Sequence, residues 1–242
     1  MEGVRTSIEL PGCGWERCND RCIGASAYPA PRLFNIESWI PKVERIGLQD
    51  FPRVDPVSLL ELPSDLIAFD RRRQSEVRES TYLHFYVDDR KLGRLVDNPR
   101  KYVEHFASYG GLIGPDFSLY RDMPRFMREL HTYINRALTA FFQAHGFLVI
   151  PSARWATRAD FDFCFLGLPI DSTIAVSAHG CSRSWEDQAH FREGLREMVR
   201  VLHPKRIIVH GSMPNFAFNT IPSGIEVIRY ASDIERSRMK RT

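Results

Sequence analysis

Short apolar runs alternate along the chain with stretches that have helical spacing, and this alternation predicts the fold. The most regular helical pattern covers residues 126–146, where apolar side chains recur at intervals of three and four residues and a glycine ends the stripe. Residues 98–110 and 184–204 show the same pattern, with a proline or a serine near the start and a glycine or a proline at the end. We therefore expect at least three helices.

Apolar runs between these helices are typical of buried strands. They cover residues 66–69, 82–87, 112–113, 147–150, 161–165, 173–177, 206–209 and 224–228. The repeated order of strand and helix predicts an α/β fold with a mostly parallel sheet and crossover helices. Because some connections are too short or too rich in glycine and proline for a full helix, we expect a depleted (β/α) barrel-like architecture. An open doubly wound sheet is the alternative.

Residues 1–65 differ from the rest of the chain. They are rich in proline and follow no sustained period, which predicts an irregular arm whose aromatic side chains pack on the core. In this interpretation residues 66–235 form a single α/β domain and residues 236–242 form a basic tail. A chain of 242 residues is long enough to bury a core of this kind.

The overall charge permits many partners and demands none. The chain has 33 basic and 30 acidic residues and a formal net charge of +3, so no strong field selects a polyanion. No apolar run approaches the roughly 20 residues of a membrane-spanning helix, so we expect no membrane association. The cysteines follow no charged and apolar leader, which favours a reducing cytoplasm.

Acidic residues and histidines follow several of the predicted strands. The candidate catalytic residues are Asp70, Asp88, Asp116, His179 and His210, and Asp89 lies at the same strand end as Asp88. The carboxyl ends of parallel strands share one side of a sheet or barrel, and ligands bind at that side in both candidate architectures. Such a set predicts acid–base chemistry or the binding of a divalent metal. The competing interpretation is that each side chain only stabilises a turn.

Four further side chains are candidates for substrate binding, namely Ser118, Tyr120, Arg121 and Trp155. The planar guanidinium of Arg121 suits an anionic group, although it could instead pair with Asp122 at the surface. Asp122 is expected to cap the following helix and is left out of the site. Ser118 lacks the Gly-x-Ser-x-Gly context of a nucleophilic elbow, and the competing interpretation is a hydroxyl that only forms hydrogen bonds within a turn.

Three cysteines lie close together near the start of the chain, at Cys13, Cys18 and Cys22. Thiolates at this density suit a soft metal, so an iron–sulfur cluster or a zinc ion is one interpretation. The spacing C-x4-C-x3-C matches no standard zinc pattern. The alternative is three unbound thiols packed within the arm.

Several motifs together resemble an uncharacterised domain-of-unknown-function family carried by phages and other bacterial mobile elements. They are Leu112-Ile-Gly-Pro-Asp-Phe-Ser-Leu-Tyr-Arg-Asp-Met-Pro124, Asn135-Arg136, Val149-Ile-Pro151 with Trp155, Phe163-Cys-Phe-x-Gly-Leu-Pro169 and Ile208-Val-His-Gly211. The resemblance covers residues 66–230. It implies one domain, a mobile-element context and hence the cytoplasm of a bacterial host, but no mechanism, and it does not extend to His210.

These observations lead to one functional hypothesis and two alternatives. The hypothesis is an enzyme that uses the Asp and His cluster at the strand ends, with or without a divalent metal, on a phosphate-bearing or nucleic-acid-related substrate. The first alternative is a non-catalytic phage protein that binds a host protein or nucleic acid. The second is an iron–sulfur or zinc module that uses the three cysteines.

Overall fold

The computed structural model describes residues 36–58, 61–74, 77–178, 184–233 and 235–236. The chain divides into two compact units, residues 1–34 and 35–242, and all of the described residues belong to the second. Most of the predicted arm, the three clustered cysteines and His179 lie outside the described residues. So does the basic tail after Arg236.

Nine strands and five α-helices occur in the described part of the chain. The strands are β1 (Arg45–Ile46), β2 (Phe51–Pro52), β3 (Asp65–Ala68), β4 (Thr81–His84), β5 (Gly111–Ile113), β6 (Val149–Ile150), β7 (Thr173–Ser177), β8 (Arg206–His210) and β9 (Glu226–Tyr230). The helices are α1 (Asp89–Asp97), α2 (Arg100–Phe106), α3 (Arg125–Ala144), α4 (Trp185–Leu202) and α5 (Asn215–Phe218). None of these helices is both long enough and apolar enough to cross a membrane.

Seven of the strands follow one another in parallel order. Strands β3, β4, β5 and β6 form one sheet and β7, β8 and β9 form another, with parallel pairing throughout. The chain just after β6 joins the two sheets, because Ser152 forms a parallel bridge with Ala175 of β7. The amide of Ala153 donates to the Ala175 carbonyl at 2.9 Å, and the amide of Ala175 donates to the Pro151 carbonyl at 2.8 Å.

The seven strands curl around one apolar interior. Each contributes an inward side chain to a single cluster, made of Leu66, Tyr82, Ile113, Ile150, Ala175, Ile208 and Ile228. The first and last strands approach each other, since the Tyr230 hydroxyl donates to the carbonyl of Pro63 at 2.7 Å. No ladder joins β9 to β3 within the described residues, so the barrel is not closed. The predicted depleted barrel is therefore confirmed, and the sequential strand order excludes the doubly wound alternative.

Helices cover the outer face of the barrel and supply the rest of the core. Helix α3 packs Ile134, Ala137, Leu138 and Phe141 against side chains from β4 and β5. Its regular spacing explains why this helix was the clearest prediction from the sequence. Phe51 of the β1–β2 hairpin is fully buried in another apolar cluster, and its strand packs beside α3. Strands β4 to β7 are buried on both faces because helices cover them outside and the interior fills them inside.

Two local predictions were wrong. Residues 161–165 form turns and not a strand, because the carbonyl of Asp160 accepts from the amides of Phe163 and Cys164 at 3.0 and 2.8 Å. Phe163, Cys164 and Phe165 are buried in succession, which the turns allow because they pack on the core. Asp122 does not cap α3, since the helix begins at Arg125 after Pro124 and has no side-chain cap.

The fully buried carboxylate of Asp160 is the main support of this turn region. It accepts from the amides of Ala156 and Thr157 at 3.0 Å each and pairs with Arg128 at 2.8 Å. We expect Asp160→Ala to lower the free energy of unfolding by about 3–5 kcal/mol, because it leaves a buried arginine unpaired. Asp162→Ala removes an exposed partner of Arg125 and should cost at most about 1 kcal/mol. Urea unfolding of both variants checks this, and equal losses would contradict it.

Candidate functional site

The interior of the barrel changes from apolar to polar at the carboxyl ends of its strands. In four strands the residue two positions after an inward apolar side chain is polar. These polar residues are His84, Ser152, Ser177 and His210, and all four are buried. Since alternate residues of a strand point to the same face, they form the last layer of the interior before the open end of the barrel.

A cleft of about 1080 Å³ opens beside this polar layer. It is formed by the segments that follow β4, β5 and β6, by Ser177 at the end of β7 and by the first turns of α4. Six of the sequence candidates line it, namely Asp88, Asp116, Ser118, Tyr120, Arg121 and Trp155. The cleft therefore lies where parallel barrels bind their ligands.

Asp116 is the most buried charged side chain in the cleft, with 4% of its surface exposed. Its carboxylate pairs with Arg154 at 3.1 Å and accepts a hydrogen bond from the Ser152 hydroxyl at 3.4 Å. Burial raises the pKa of Asp116 above its usual range, and the nearby Asp89 adds to this, while Arg154 opposes it. At neutral pH the free-energy difference between the protonated and the ionised carboxyl group is therefore smaller than for an exposed aspartate.

Tyr86 extends the hydrogen-bonded group at the floor of the cleft. Its hydroxyl lies 3.0 Å from the Ser152 hydroxyl, which itself donates to Asp116. Burial and the charge of Asp116 raise the pKa of Tyr86, so its phenol stays protonated. The order of donors is therefore Tyr86 to Ser152 to Asp116.

Helix α3 holds the two segments that carry Asp116 and Arg154. The side-chain carbonyl of Asn135 accepts from the amide of Phe117 at 2.7 Å, and its amide group donates to the Phe117 carbonyl at 3.2 Å. The adjacent Arg136 is buried. It donates to the carbonyls of Ser152, Cys164 and Leu166 at 3.3, 2.6 and 3.1 Å. Two neighbouring residues of one helix thus fix the loops after β5 and β6, which is the kind of support a precise site requires.

The mouth of the cleft is bridged by an ion pair. Arg121 contacts Glu186 at 2.6 Å and Asp187 at 3.0 Å, so the loop after β5 is tied to the first turn of α4. The alternative surface pair with Asp122 is not the arrangement observed. Because all three side chains are partly exposed, this ion pair contributes little to stability and can exchange for a ligand group.

Trp155 both lines the cleft and packs on helix α4. Its indole stacks on Phe191 with ring centres 5.7 Å apart, and its Nε1 donates to the His190 carbonyl at 3.2 Å. The ring also lies directly on Gly194 of α4, where an added Cβ would come within 2.1 Å of Nε1. Gly194 therefore allows the indole to reach its position.

The other candidates lie in different surroundings. Asp88 lines the cleft but also caps α1 and binds Arg90 at 2.8 Å. Asp70 is outside the cleft and pairs with Lys91 at 2.5 Å. His210 belongs to the polar layer, with its ring centre 4.2 Å from that of His84 and 4.9 Å from that of Tyr86.

His84 is the most completely buried member of the polar layer. Its Nδ1 accepts from the amide of Tyr86 at 3.3 Å, so its proton resides on Nε2. That atom is buried, has no hydrogen-bond partner in the described part of the chain, and lies 3.9 Å from the carboxylate of Asp233. Burial lowers the pKa of His84 well below its usual range, and His210, Arg236 and Arg71 lower it further.

The described residues contain no group of three or more His, Cys, Asp or Glu side chains arranged to hold a metal ion. Cys13, Cys18, Cys22 and His179 lie outside them, so the predictions on those four residues stay predictions.

Several cleft and layer residues were not among the sequence candidates, namely His84, Tyr86, Ser152, Arg154 and Ser177. The sequence contains a signal for three of them. His84, Ser152 and Ser177 each lie two positions after an inward apolar residue at a strand end, and that replacement of an apolar by a polar residue marks the layer. Arg154 lies in a loop and carries no periodic signal.

We expect Asn135→Ala to destabilise the loop that carries Asp116. The variant leaves the amide and carbonyl of Phe117 without their partner, at about 1–3 kcal/mol for each buried group. Chemical denaturation measures the loss. Gln143→Ala, on the same helix, removes bonds to the more exposed Asp55 and serves as the control. An unfolding free energy equal to that of the wild type would contradict the proposed support.

We also expect stability to fall on mild acidification. Because the pKa of His84 is lowered in the folded state, the unfolded chain binds more protons below about pH 6.5, so stability is present above that value and is lost as the pH falls below it. Urea unfolding at about pH 7.5 and about pH 5 should show this loss in the wild type, and His84→Gln should reduce it. The exposed His105→Gln is the control, and an unchanged pH dependence in His84→Gln would contradict the assignment.

Comparison with known proteins places this chain in a family. The family model described as "Domain of unknown function (DUF4417)" matches residues 43–231, which include the β1–β2 hairpin and the barrel. The Gene 1 protein of Mycobacterium phage L5 is 31% identical over 210 residues, covering 86% of this chain and 90% of that protein. The Gene 1 protein of Mycobacterium phage D29 is 34% identical over 166 residues, covering 68% of this chain and 61% of that protein. No solved structure matches the chain significantly. The chain therefore belongs to this family of unknown function, and its similarity to mycobacteriophage proteins confirms the phage context that the resemblance predicted.

Proposed function

We propose that the cleft is the active site of a phage enzyme in which Asp116 transfers a proton. The observation that carries the proposal is the position of Asp116, buried at the floor of a large cleft at the strand carboxyl ends, between Arg154 and Ser152. A carboxyl group whose pKa is raised by burial is suited to acid–base work near neutral pH. An exposed aspartate that does not line a cleft would not support a role in proton transfer.

The proposed substrate bears a phosphate group or is related to nucleic acid. Arg90, Arg121 and Arg154 line the cleft, and guanidinium groups bind phosphate in two-pronged geometry. The ion pair of Arg121 with Glu186 and Asp187 is partly exposed, so the phosphate of a substrate can compete with these carboxylates for Arg121. The phage context favours the cytoplasm of the bacterial host as the place where such a substrate is met.

A non-catalytic protein that binds a host protein or nucleic acid is the second candidate. It is favoured by two exposed aromatic side chains beside the Arg121 ion pair. Trp185 is 81% exposed and Tyr120 is 54% exposed. Aromatic side chains next to arginine are common at binding surfaces. The proposed metal or iron–sulfur module through Cys13, Cys18 and Cys22 is a separate hypothesis, which metal analysis of anaerobically purified protein tests.

The test of the leading proposal is Asp116→Asn. Mixtures of nucleotides and nucleic-acid fragments are incubated with the protein, and products are followed by mass spectrometry. Replacing an acid–base group should lower turnover about 10²–10⁴-fold. Asp171→Asn is the matched control, since Asp171 is exposed and its left-handed backbone tolerates asparagine.

The same variant separates a catalytic role from a structural one. The raised pKa means that the folded protein disfavours the charged form of Asp116, so its contribution to stability falls as the pH rises above the usual aspartate value of about 3.9. We therefore expect Asp116→Asn to lose turnover while its unfolding free energy at neutral pH stays equal to or above that of the wild type. A folded variant with full turnover would overturn the proposed function.

A further inference from the structure

Carboxylates outnumber arginines in the cleft. Its lining contains five aspartates, which are Asp88, Asp89, Asp116, Asp122 and Asp187, and three arginines, which are Arg90, Arg121 and Arg154. Each arginine is already within ion-pair distance of at least one carboxylate. The cleft therefore presents an excess of negative charge to an incoming ligand.

Two of the aspartates account for this excess. Neither Asp89 nor Asp122 makes an ion pair with a lysine or arginine in the part of the chain that the structure describes. Asp89 is half-buried and held in place, because its carboxylate accepts from the Ser118 amide at 3.2 Å and from the Ser118 hydroxyl at 3.2 Å. A fixed and partly desolvated carboxylate acts on a ligand more strongly than a mobile surface one.

A bare anion fits this arrangement poorly. To reach an arginine it must displace a carboxylate, and the displaced carboxylate then adds to the negative charge around it. A ligand that carries positive charge as well avoids this conflict, because its cationic part can face Asp89 while its phosphate replaces a carboxylate on an arginine. His190 lines the same wall, with a buried Nδ1 that has no hydrogen-bond partner among the described residues and an Nε2 that lies 3.9 Å from the Glu186 carboxylate.

We infer that the ligand of the cleft carries its own positive charge next to its phosphate and places that charge against Asp89. The charge is supplied either by a divalent cation that the phosphates chelate or by an amine of the ligand. This inference rests on the proposed function and adds the charge pattern of the substrate.

Isothermal titration calorimetry with three probes tests the inference on the whole protein. The probes are pyrophosphate in the presence of a chelator, pyrophosphate with excess Mg²⁺, and the triamine spermidine. We expect at least one of the two cation-bearing probes to bind ten times or more tightly than bare pyrophosphate. Tight binding of the magnesium form identifies a chelated cation as the source of the charge, and tight binding of spermidine identifies an amine.

The matched variant is Asp89→Asn, which removes the charge and keeps an oxygen that can accept from Ser118. It should reduce the preference for the cation-bearing probe about tenfold or more, whereas Asp171→Asn should leave it unchanged. The inference is overturned when bare pyrophosphate binds the wild type as tightly as the other two probes, when no probe binds, or when Asp89→Asn keeps the full preference. Loss of turnover in Asp116→Asn would still support the proposed function in those cases.

Discussion

The parallel pairing that joins β6 to β7 determines where the candidate site lies. Through it two short sheets become one series of seven strands, which curls around a single interior and turns all strand carboxyl ends to the same side. Ser152 forms this bridge with its backbone and contacts Asp116 and Tyr86 with its hydroxyl. One residue thus links the architecture to the chemistry proposed for the cleft.

The polar layer at the open end of the barrel lowers the stability of the fold, because polar side chains are buried there in place of apolar ones. Below it the interior is apolar, whereas at this end burial lowers the pKa of His84 and raises the pKa of Asp116 in the adjoining cleft. Burial disfavours the protonated imidazole and the charged carboxylate alike. Such departures from an apolar interior are expected at functional sites, and the support from Asn135 and Arg136 of α3 shows how the fold holds them.

The fold was accessible from the sequence because strands β4 to β7 are buried on both faces, which leaves continuous apolar runs, and each long helix has one apolar stripe, which leaves a repeat at helical spacing. The turns at residues 161–165 were mistaken for a strand because Phe161, Phe163 and Phe165 occupy alternate positions in the sequence. In the site, Asp116 and Asp89 follow strands and were accessible. Arg154 was not, since the partner of a charged loop residue depends on three-dimensional neighbours and leaves no trace in spacing.

The central claim is that the cleft beside Asp116 binds a ligand of the phage-infected cell. The most direct measurement is a crystal structure of the protein after incubation with a small-molecule extract of infected host cells. The account predicts ligand density in the cleft, in contact with Asp116 or Arg154 and with the Arg121 ion pair rearranged. Ligand bound elsewhere on the protein while the cleft contains only water would contradict it.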